Sequence, residues 1–261
     1  MKIEVLLSTM NCQDINDLKL NKGNMINNML VVNQTNNENK LVFDTIRMFN
    51  FSEKGLSKSR NRAIDNSSGD ICLIADDDIV YKENIESIIV ECFEKNPDAD
   101  IITFQIETPE NGFFKKYSTK EFWHNKRSIL RVSSIEVAFK RSSILDSQVR
   151  FDELFGLGSK YISGEENIFL MDCLKKGLKI KYIPIPIVIH PYENSRKNYS
   201  VQQFISKGAL FYRLFGRKAF ILSIIFAIKK YPEYRRKYKI INAIKLMNRG
   251  ICEYMKLERE F

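Results

Sequence analysis

Apolar positions along the first hundred residues come in short runs that alternate with segments of helical period. Residues 3–9, 29–32, 45–49, 71–75 and 101–106 are rich in Ile, Val, Leu and Phe with few charges, as strands covered on both faces are. Between the third and fourth runs, residues 55–67 read as a helix, with Gly69-Asp70 as its stop. Ile85, Ile88, Ile89, Cys92 and Phe93 then recur at i, i+3, i+4, i+7 and i+8, which is one apolar helix face. Alternation of this kind predicts an α/β fold, a mostly parallel sheet flanked by helices.

Residues 108–131 lose the period, are polar and aromatic, and carry Pro109 and Gly112. They read as an insertion or a substrate-facing loop. Residues 135–139 return as a strand. Gly156, Gly158 and Gly164 lead into a helix over 165–176 that Gly177 closes, and a β pair, 179–183 and 186–190, follows. After Ser195 strand signals stop and helical runs rich in Lys, Arg, Tyr and Phe begin. The expected organisation is a domain over 1–194 and a helical C-terminal appendage over 195–261. An asparagine-rich stretch, 33–39, is the one compositionally biased segment.

With 44% apolar and 28% charged positions in 261 residues, the composition is that of a folded globular chain. Five widely spaced cysteines without a CxxC pair argue against a zinc ribbon or a disulfide framework and for reduced thiols in a cytoplasmic setting. The apolar run Val5-Leu6-Leu7 is short for a signal-peptide core. The longest apolar stretch, 219–228, contains Ser223 and falls well below the ~18 residues that span a bilayer. The net charge of +9 is uneven, because residues 195–261 hold 16 Lys/Arg against four Asp/Glu, an excess of +12 over a remainder at −3. The basic character belongs to the tail.

The run Ile71-Cys72-Leu73-Ile74-Ala75 ends in Asp76-Asp77-Asp78, at the carboxyl edge where open α/β sheets bind ligands. Two carboxylates ~4 Å apart repel by up to about 4 kcal/mol at an effective dielectric near 20. Three in one turn call for full solvation or for a cation, and Mg²⁺ or Mn²⁺ bridging a diphosphate meets the second demand. Ser163-Gly164-Glu165-Glu166-Asn167 places an acidic pair at a helix start, where the helix dipole also favours acids. Phe122, Trp123 and His124 form an aromatic cluster suited either to stacking on a sugar or to packing the insertion.

The order of these pieces is specific. Gly55-Leu56-Ser57-Lys58-Ser59-Arg60-Asn61, then Ser68-Gly69-Asp70, then Asp76-Asp77-Asp78 resembles the GLSxxRN…GD…DxD segment of glycosyltransferase family 2, whose nucleotide-binding fold is called GT-A. By order of elements the resemblance extends over residues 3 to about 190, with a donor half over 1–106 and an acceptor half over 107–194. It implies a metal-dependent, inverting transfer of a hexose-type sugar from a nucleotide diphosphate, uridine-based, to a hydroxyl of a glycan or lipid-linked acceptor, as in polysaccharide biosynthesis. By the same resemblance Asp76 sits near the ribose and Asp78 at the metal-bound diphosphate, with Asp77 beside them. Asp78, Asp76 and His190 become ligands for Mn²⁺ or Mg²⁺. Ser8, Thr9 and Asn33 face the base and ribose, and Lys58 and Arg60 the phosphates or base. The chain departs from the pattern at Val32-Asn33-Gln34, where members commonly carry Asp. Ser163 to Asn167 is similar to the family's acceptor motif, with Glu166 in the place of the catalytic aspartate and Glu165 as its support. The extra methylene moves that carboxylate by about 1.5 Å.

Two other readings stand beside this one, the first of which the sequence discounts. A sugar nucleotidyltransferase would favour a glycine-rich basic loop after the first strand, and Leu7-Ser8-Thr9-Met10-Asn11 has none. An inactive GT-A-like scaffold would use the basic tail to bind a membrane or, as the weaker alternative, nucleic acid. In that tail Phe211, Leu214 and Phe215, then Phe220, Ile224, Ile225 and Ile228, alternate with Arg213, Arg217, Lys218, Lys229, Lys230 and Arg235-Arg236-Lys237. Such a pattern suits peripheral docking on an anionic membrane surface, and equally packing on the sheet domain or a homodimer contact.

Overall fold

The computed structural model describes residues 1–13, 18, 28–36, 40–43, 46–110, 112–191 and 199–260. Thr45, residues 37–39 of the asparagine-rich stretch and the boundary at Ser195 lie outside them. In chain order the described elements begin with strands β1 (Ile3–Met10), β2 (Met29–Gln34), β3 (Lys40–Phe43) and β4 (Ile46–Phe51), then helix α1 (Leu56–Asn66). Strand β5 (Ile71–Asp76), the two-residue β6 (Val80–Tyr81), α2 (Ile85–Lys95) and β7 (Ile101–Glu107) follow. Next come β8 (Phe122–Trp123), β9 (Val137–Lys140), α3 (Arg141–Ser147), α4 (Glu165–Lys175) and β10 (Ile180–Ile189). Helices α5 (Val201–Phe215), α6 (Ala219–Tyr234) and α7 (Ile240–Glu260) end the chain.

Among the described residues the strands form one sheet in the order β3-β4-β2-β1-β5-β9-β7-β10-β6, with β8 added to β10. Strands β1, β2, β4 and β5 run parallel, as do β7 and β10. Strand β9 is antiparallel to both β5 and β7, so the mostly parallel α/β sheet expected from the pattern is present with one reversed strand at its centre. Alternation along β1 sends Leu6 to the face covered by α1 and α4, and Val5 and Leu7 to the face covered by α2.

Several elements differ from the sequence expectation, and α3 and the short β6 and β8 have no counterpart in it. The strand expected over 135–139 starts at Val137, because Ser133 caps a 3-10 turn, Ser134–Glu136, and the Glu136 carboxylate accepts from the Ser133 backbone N–H at 3.2 Å. The β pair expected over 179–190 is one strand, β10, whose register against β7 slips between Tyr182 and Pro186 and again before Val188. Pro184 and Pro186 offer no N–H to the ladder, and the strand bulges there instead of turning back. Strand β3, antiparallel to β4, was hidden by its polar surroundings.

The tail is less of an appendage than its composition suggests. Ile205, Ala209, Leu210 and Leu214 of α5 and Tyr254 of α7 belong to the same core cluster as α1 and α4. Leu214 is buried and Phe211 and Phe215 half-buried, so these three pack inward, the second of the two uses that the pattern left open. Arg213 is likewise committed, donating to Asp152 at 2.9 Å and to Asp172 at 2.6 Å.

Helices α5 and α7 cross at two glycines. A Cβ on Gly208 would lie 1.9 Å from the Met247 carbonyl oxygen, and one on Gly250 would lie 2.0 Å from that of Ile205. On an open helix Gly→Ala gains up to about 1 kcal/mol, whereas overpacking costs about 1–3 kcal/mol. At these distances the clash wins, since backbone must move on both helices. Gly208→Ala and Gly250→Ala are each expected to lower stability by about 1–3 kcal/mol in urea unfolding; a gain from either would show that the helices separate freely.

Candidate functional site

Parallel pairing sets the ends of β1, β2 and β5 side by side, with Ser8 opposite Asp76 and Thr9 opposite Asn33. Beyond that edge lies a cleft of about 440 Å³ lined by Thr9 to Gln13, Leu18, Asp77 and Asp78. Thr9 Oγ1 donates to Asp77 at 2.7 Å, which ties the end of β1 to the acidic turn. Met10, Asn11 and Cys12, not singled out from the sequence, line the cleft as well. Asn11 takes a left-handed backbone, φ 52°, and its N–H donates to the Gln34 carbonyl at 3.1 Å.

Asn33 lies beneath this cleft. It is wholly buried, accepts from the Cys12 N–H at 3.0 Å, and donates to the Cys12 carbonyl at 2.9 Å and to Asn50 at 2.8 Å. Both amide hydrogens are used, so Asn33 shapes the cleft floor where the resemblance implied a nucleotide contact. Ser8 is also buried, accepting a 2.8 Å hydrogen bond from Ser59.

The GLSKSRN segment forms α1, and its polar side chains point inward. Gly55 caps it at φ 123°, with its N–H and C=O both held by the Gln34 side chain at 3.1 and 3.0 Å. Ser57 donates to the Phe155 carbonyl at 2.6 Å. Asn61 accepts from the Phe151 N–H at 2.8 Å and donates to the Phe151 carbonyl at 3.0 Å. This side of α1 therefore holds the loop that leads to α4. In the SGD piece, a Cβ on Gly69 would come within 2.7 Å of Glu4 Cβ, and Asp70 accepts from the Lys2 N–H at 2.7 Å. That part of the motif secures the start of β1. Lys58 is half-exposed and has no hydrogen bond or ion pair among the described residues.

Arg60 is the centre of the site. Its buried guanidinium donates to Asp76 at 3.0 Å and to Glu165 at 2.9 Å, and lies 5.5 Å from the Phe151 ring centroid. Burial opposes the cation, but the carboxylates of Asp76, Glu165 and Glu166 together hold its pKa above the ordinary arginine value. One charge thus joins the DDD turn to the acidic pair of α4. Ser134 adds a 3.5 Å contact to Asp76.

Glu165 and Glu166 follow Gly164, which adopts φ 102° as the cap of α4. Glu165 is spoken for by Arg60. Glu166 is half-buried and pairs with no other side chain by hydrogen bond among the described residues, and burial followed by the adjacent Glu165 charge pushes its pKa up to about 7. A carboxyl group titrating there is suited to take a proton near neutral pH.

At the far end of the cleft, His190 Nε2 lies 3.2 Å from Asp78 Oδ2, and His190 Nδ1 lies 2.7 Å from the Pro191 carbonyl. A carbonyl accepts only, so Nδ1 carries a proton, and Nε2 meets the carboxylate as an N–H donor when the ring is charged or as a lone pair when it is neutral. In the neutral form the two lone-pair donors can share a cation. Adjacent ligands of an octahedral Mg²⁺-type ion, each at about 2.1 Å, stand about 3.0 Å apart, so the pair fits one edge of such a site. Among the described residues no group of three or more His, Cys, Asp or Glu side chains is placed around one metal position, and Asp76 is turned to Arg60. The donor set fits an ion completed by diphosphate oxygens and water, not an all-protein cage.

A second cavity, about 340 Å³, lies against the 108–131 insertion and is walled by Tyr117, Phe122 and Tyr182, with Glu136 in its lining. Phe122 stacks on Tyr182 with ring centroids 4.8 Å apart. His124 is held at both nitrogens, 2.8 Å from Thr103 and 2.9 Å from Ser128, and burial together with Lys115 lowers its pKa to about 4. It packs the insertion in neutral form. Trp123 faces outward, under Lys181 at 5.6 Å.

Fold and cleft define an α/β protein with an acidic ligand site at the carboxyl edge of a mostly parallel sheet. Residues 38–144, less than half of the chain, match the family described as Glycosyl transferase family 2, and the fold, a central sheet flanked by helices, is of the type seen in the solved structures below. The match contains Lys58, Arg60 and Asp76 to Asp78 and ends before Glu165. No curated protein matches the chain. Among solved structures, S. aureus TarS 1-349 is 14% identical with a TM-score of 0.62, covering 96% of this chain and 81% of that one. The same protein in complex with UDP-GlcNAc gives 14% and 0.64, with 96% and 82% covered. Against the longer S. aureus TarS, at 13% identity and 0.60, this chain spans 55% of the length. At this identity the likeness is one of fold.

Removing the shared cation should therefore show in stability before chemistry. Breaking a buried ion pair on one side costs about 3–5 kcal/mol, and partial exposure of Asp76 places Arg60→Ala at the low end, about 3 kcal/mol. Lys58→Ala on the same helix is expected to stay within about 0.5 kcal/mol. Equal urea midpoints for the two variants would remove Arg60 from its central place.

Proposed function

We propose that the chain is an inverting, metal-dependent glycosyltransferase that moves a hexose-type sugar from a uridine diphosphate donor to a hydroxyl of a glycan or lipid-linked acceptor. The observation that carries this reading is the Arg60 bridge, which joins the donor-side Asp76 to Glu165 and so places beside it Glu166, whose carboxyl is pushed up to about 7. The family match supports sugar transfer. The crystallisation of S. aureus TarS with UDP and with UDP-GlcNAc supports a UDP-sugar donor.

In this reading the nucleotide lies in the cleft along Thr9 to Cys12, against Asp76 and Asp77. Asp78 and His190 would hold Mn²⁺ or Mg²⁺, which would supply positive charge for the departing diphosphate. Glu166 takes the proton of the acceptor hydroxyl as its oxygen attacks the anomeric carbon. The anomeric C–O bond to the diphosphate breaks on the opposite face, its electron pair leaving with the nucleotide, and the configuration inverts. Glu165, fixed by Arg60, positions the start of α4 and raises the basicity of Glu166. The turn that brings Ser134 to Asp76 also carries Glu136 into the aromatic-walled cavity, which supports that cavity as the place where an acceptor sugar stacks.

Since the base acts deprotonated, kcat/KM for transfer should rise with pH through about 7 and level off above it. Glu166→Gln should abolish that limb and lower turnover by at least ~10², the usual contribution of a general base, while UDP affinity stays within a few-fold. Retained turnover in Glu166→Gln beside lost turnover in Glu165→Gln would exchange the two roles.

For the metal, calorimetry of UDP binding with and without Mn²⁺ should show an enhancement in the native chain that Asp78→Asn removes, an amide being a poor substitute for an anionic ligand of a hard ion. An undiminished enhancement would exclude Asp78. Nucleotide release from a UDP-sugar that is metal-dependent and lost in both variants separates an enzyme from an inactive scaffold.

A further inference from the structure

Of the fourteen large apolar side chains exposed among the described residues, five lie on α6: Phe220 at 36%, Ile221 at 64%, Ile224 at 45%, Ile225 at 54% and Ile228 at 58%. At about 100° per residue all five project into one arc of the helix. Ala219, Ser223, Ala227 and Tyr234 occupy the opposite side and are buried, where Ala227 and Tyr234 pack with α5 and α7. The helix is therefore seated by one face and offers the other. A contiguous apolar stripe of this size marks an interaction surface.

Charge at the ends of the stripe identifies what it meets. Arg217 and Lys218 precede it on a 3-10 turn, Arg235 and Arg236 follow it at the helix end, and all four are exposed. None has an ion-pair partner among the described residues. The sole acid between residues 217 and 239, Glu233, lies on the far flank, held by Lys230 at 2.6 Å and Tyr199 at 2.8 Å. An apolar stripe closed at both ends by free cations and clear of acids matches an anionic lipid surface. A second copy fits poorly, because a two-fold contact through the stripe brings cation pairs together whether the helices run parallel or antiparallel. No described helix is long and apolar enough to cross a membrane, so the helix would lie in the interface.

We propose that α6 docks the protein on an anionic membrane surface, its isoleucine stripe entering the boundary of headgroups and acyl chains and its terminal cations meeting acidic headgroups. The proposal is independent of the catalytic reading. It is tested with the full chain in co-sedimentation with vesicles of phosphatidylcholine alone or with one third phosphatidylglycerol, at low and moderate salt. Binding is expected only with phosphatidylglycerol, weaker at moderate salt. It should fall by about tenfold or more in Ile221→Glu/Ile225→Glu and, through lost charge alone, in Arg235→Gln/Arg236→Gln. All four positions are exposed, so circular dichroism and melting temperature should match the native chain. Equal binding to both vesicle types, or equal binding by native chain and variants, would overturn the proposal. So would the absence of vesicle binding beside a concentration-dependent dimer, seen by sedimentation velocity, that Ile221→Glu/Ile225→Glu disperses.

Discussion

A single buried guanidinium holds the two chemical halves of this fold together. Arg60 stands on a helix packed against the parallel strands, reaches Asp76 on one side and Glu165 on the other, and is itself surrounded by protein. Its desolvation makes the bridge demanding, since a buried cation is stable only while its counter-charges are in place. The carboxylates in turn depend on it, because acids brought this close repel unless a cation sits between them. The surrounding hydrogen bonds serve to keep that geometry, from Ser57 and Asn61 to the 151–155 loop and from Ser59 to Ser8.

The polarity of GLSKSRN has two different uses. Gly55, Ser57, Ser59, Arg60 and Asn61 are turned inward and act as fasteners, while Lys58 remains at the surface. A ligand could reach Asp77, Asp78 and Thr9 directly, whereas Asn33 and Ser8 act one layer below. Binding chemistry at the edge is thus separated from the buried network that shapes it, and the two acids of α4 divide the work, one paired and one held near neutrality.

Much of the sheet was legible in the sequence because buried parallel strands leave uninterrupted apolar runs, and β1, β2, β5 and β7 began or ended within a residue or two of those runs. The acidic turn and the Gly164 cap were equally plain, since a strand ending in three aspartates and a glycine preceding two glutamates have few structural uses. Partnership was not legible. Nothing in the spacing of Arg60 and Glu165, 105 residues apart, says that they meet, and the inward turn of Asn33 follows from hydrogen bonds to Cys12 and Asn50 that only the folded chain supplies. Two prolines in β10 look like a break in the sequence, although the folded strand absorbs them as a bulge. The tail was read from composition, which counts charges without saying which face they occupy.

Gly164 links these themes. A Cβ there would come within 2.6 Å of Leu210 on α5, and the neighbouring Ile162 N–H is held by Ser206 of the same helix at 3.0 Å. The platform for the candidate base is therefore built partly from the tail, and the tail is not an interchangeable module. A hybrid that joined this sheet to the helices of a distant relative would inherit a different seat for Glu166, and its rate would report the fit of that graft as much as the chemistry of the carboxylate.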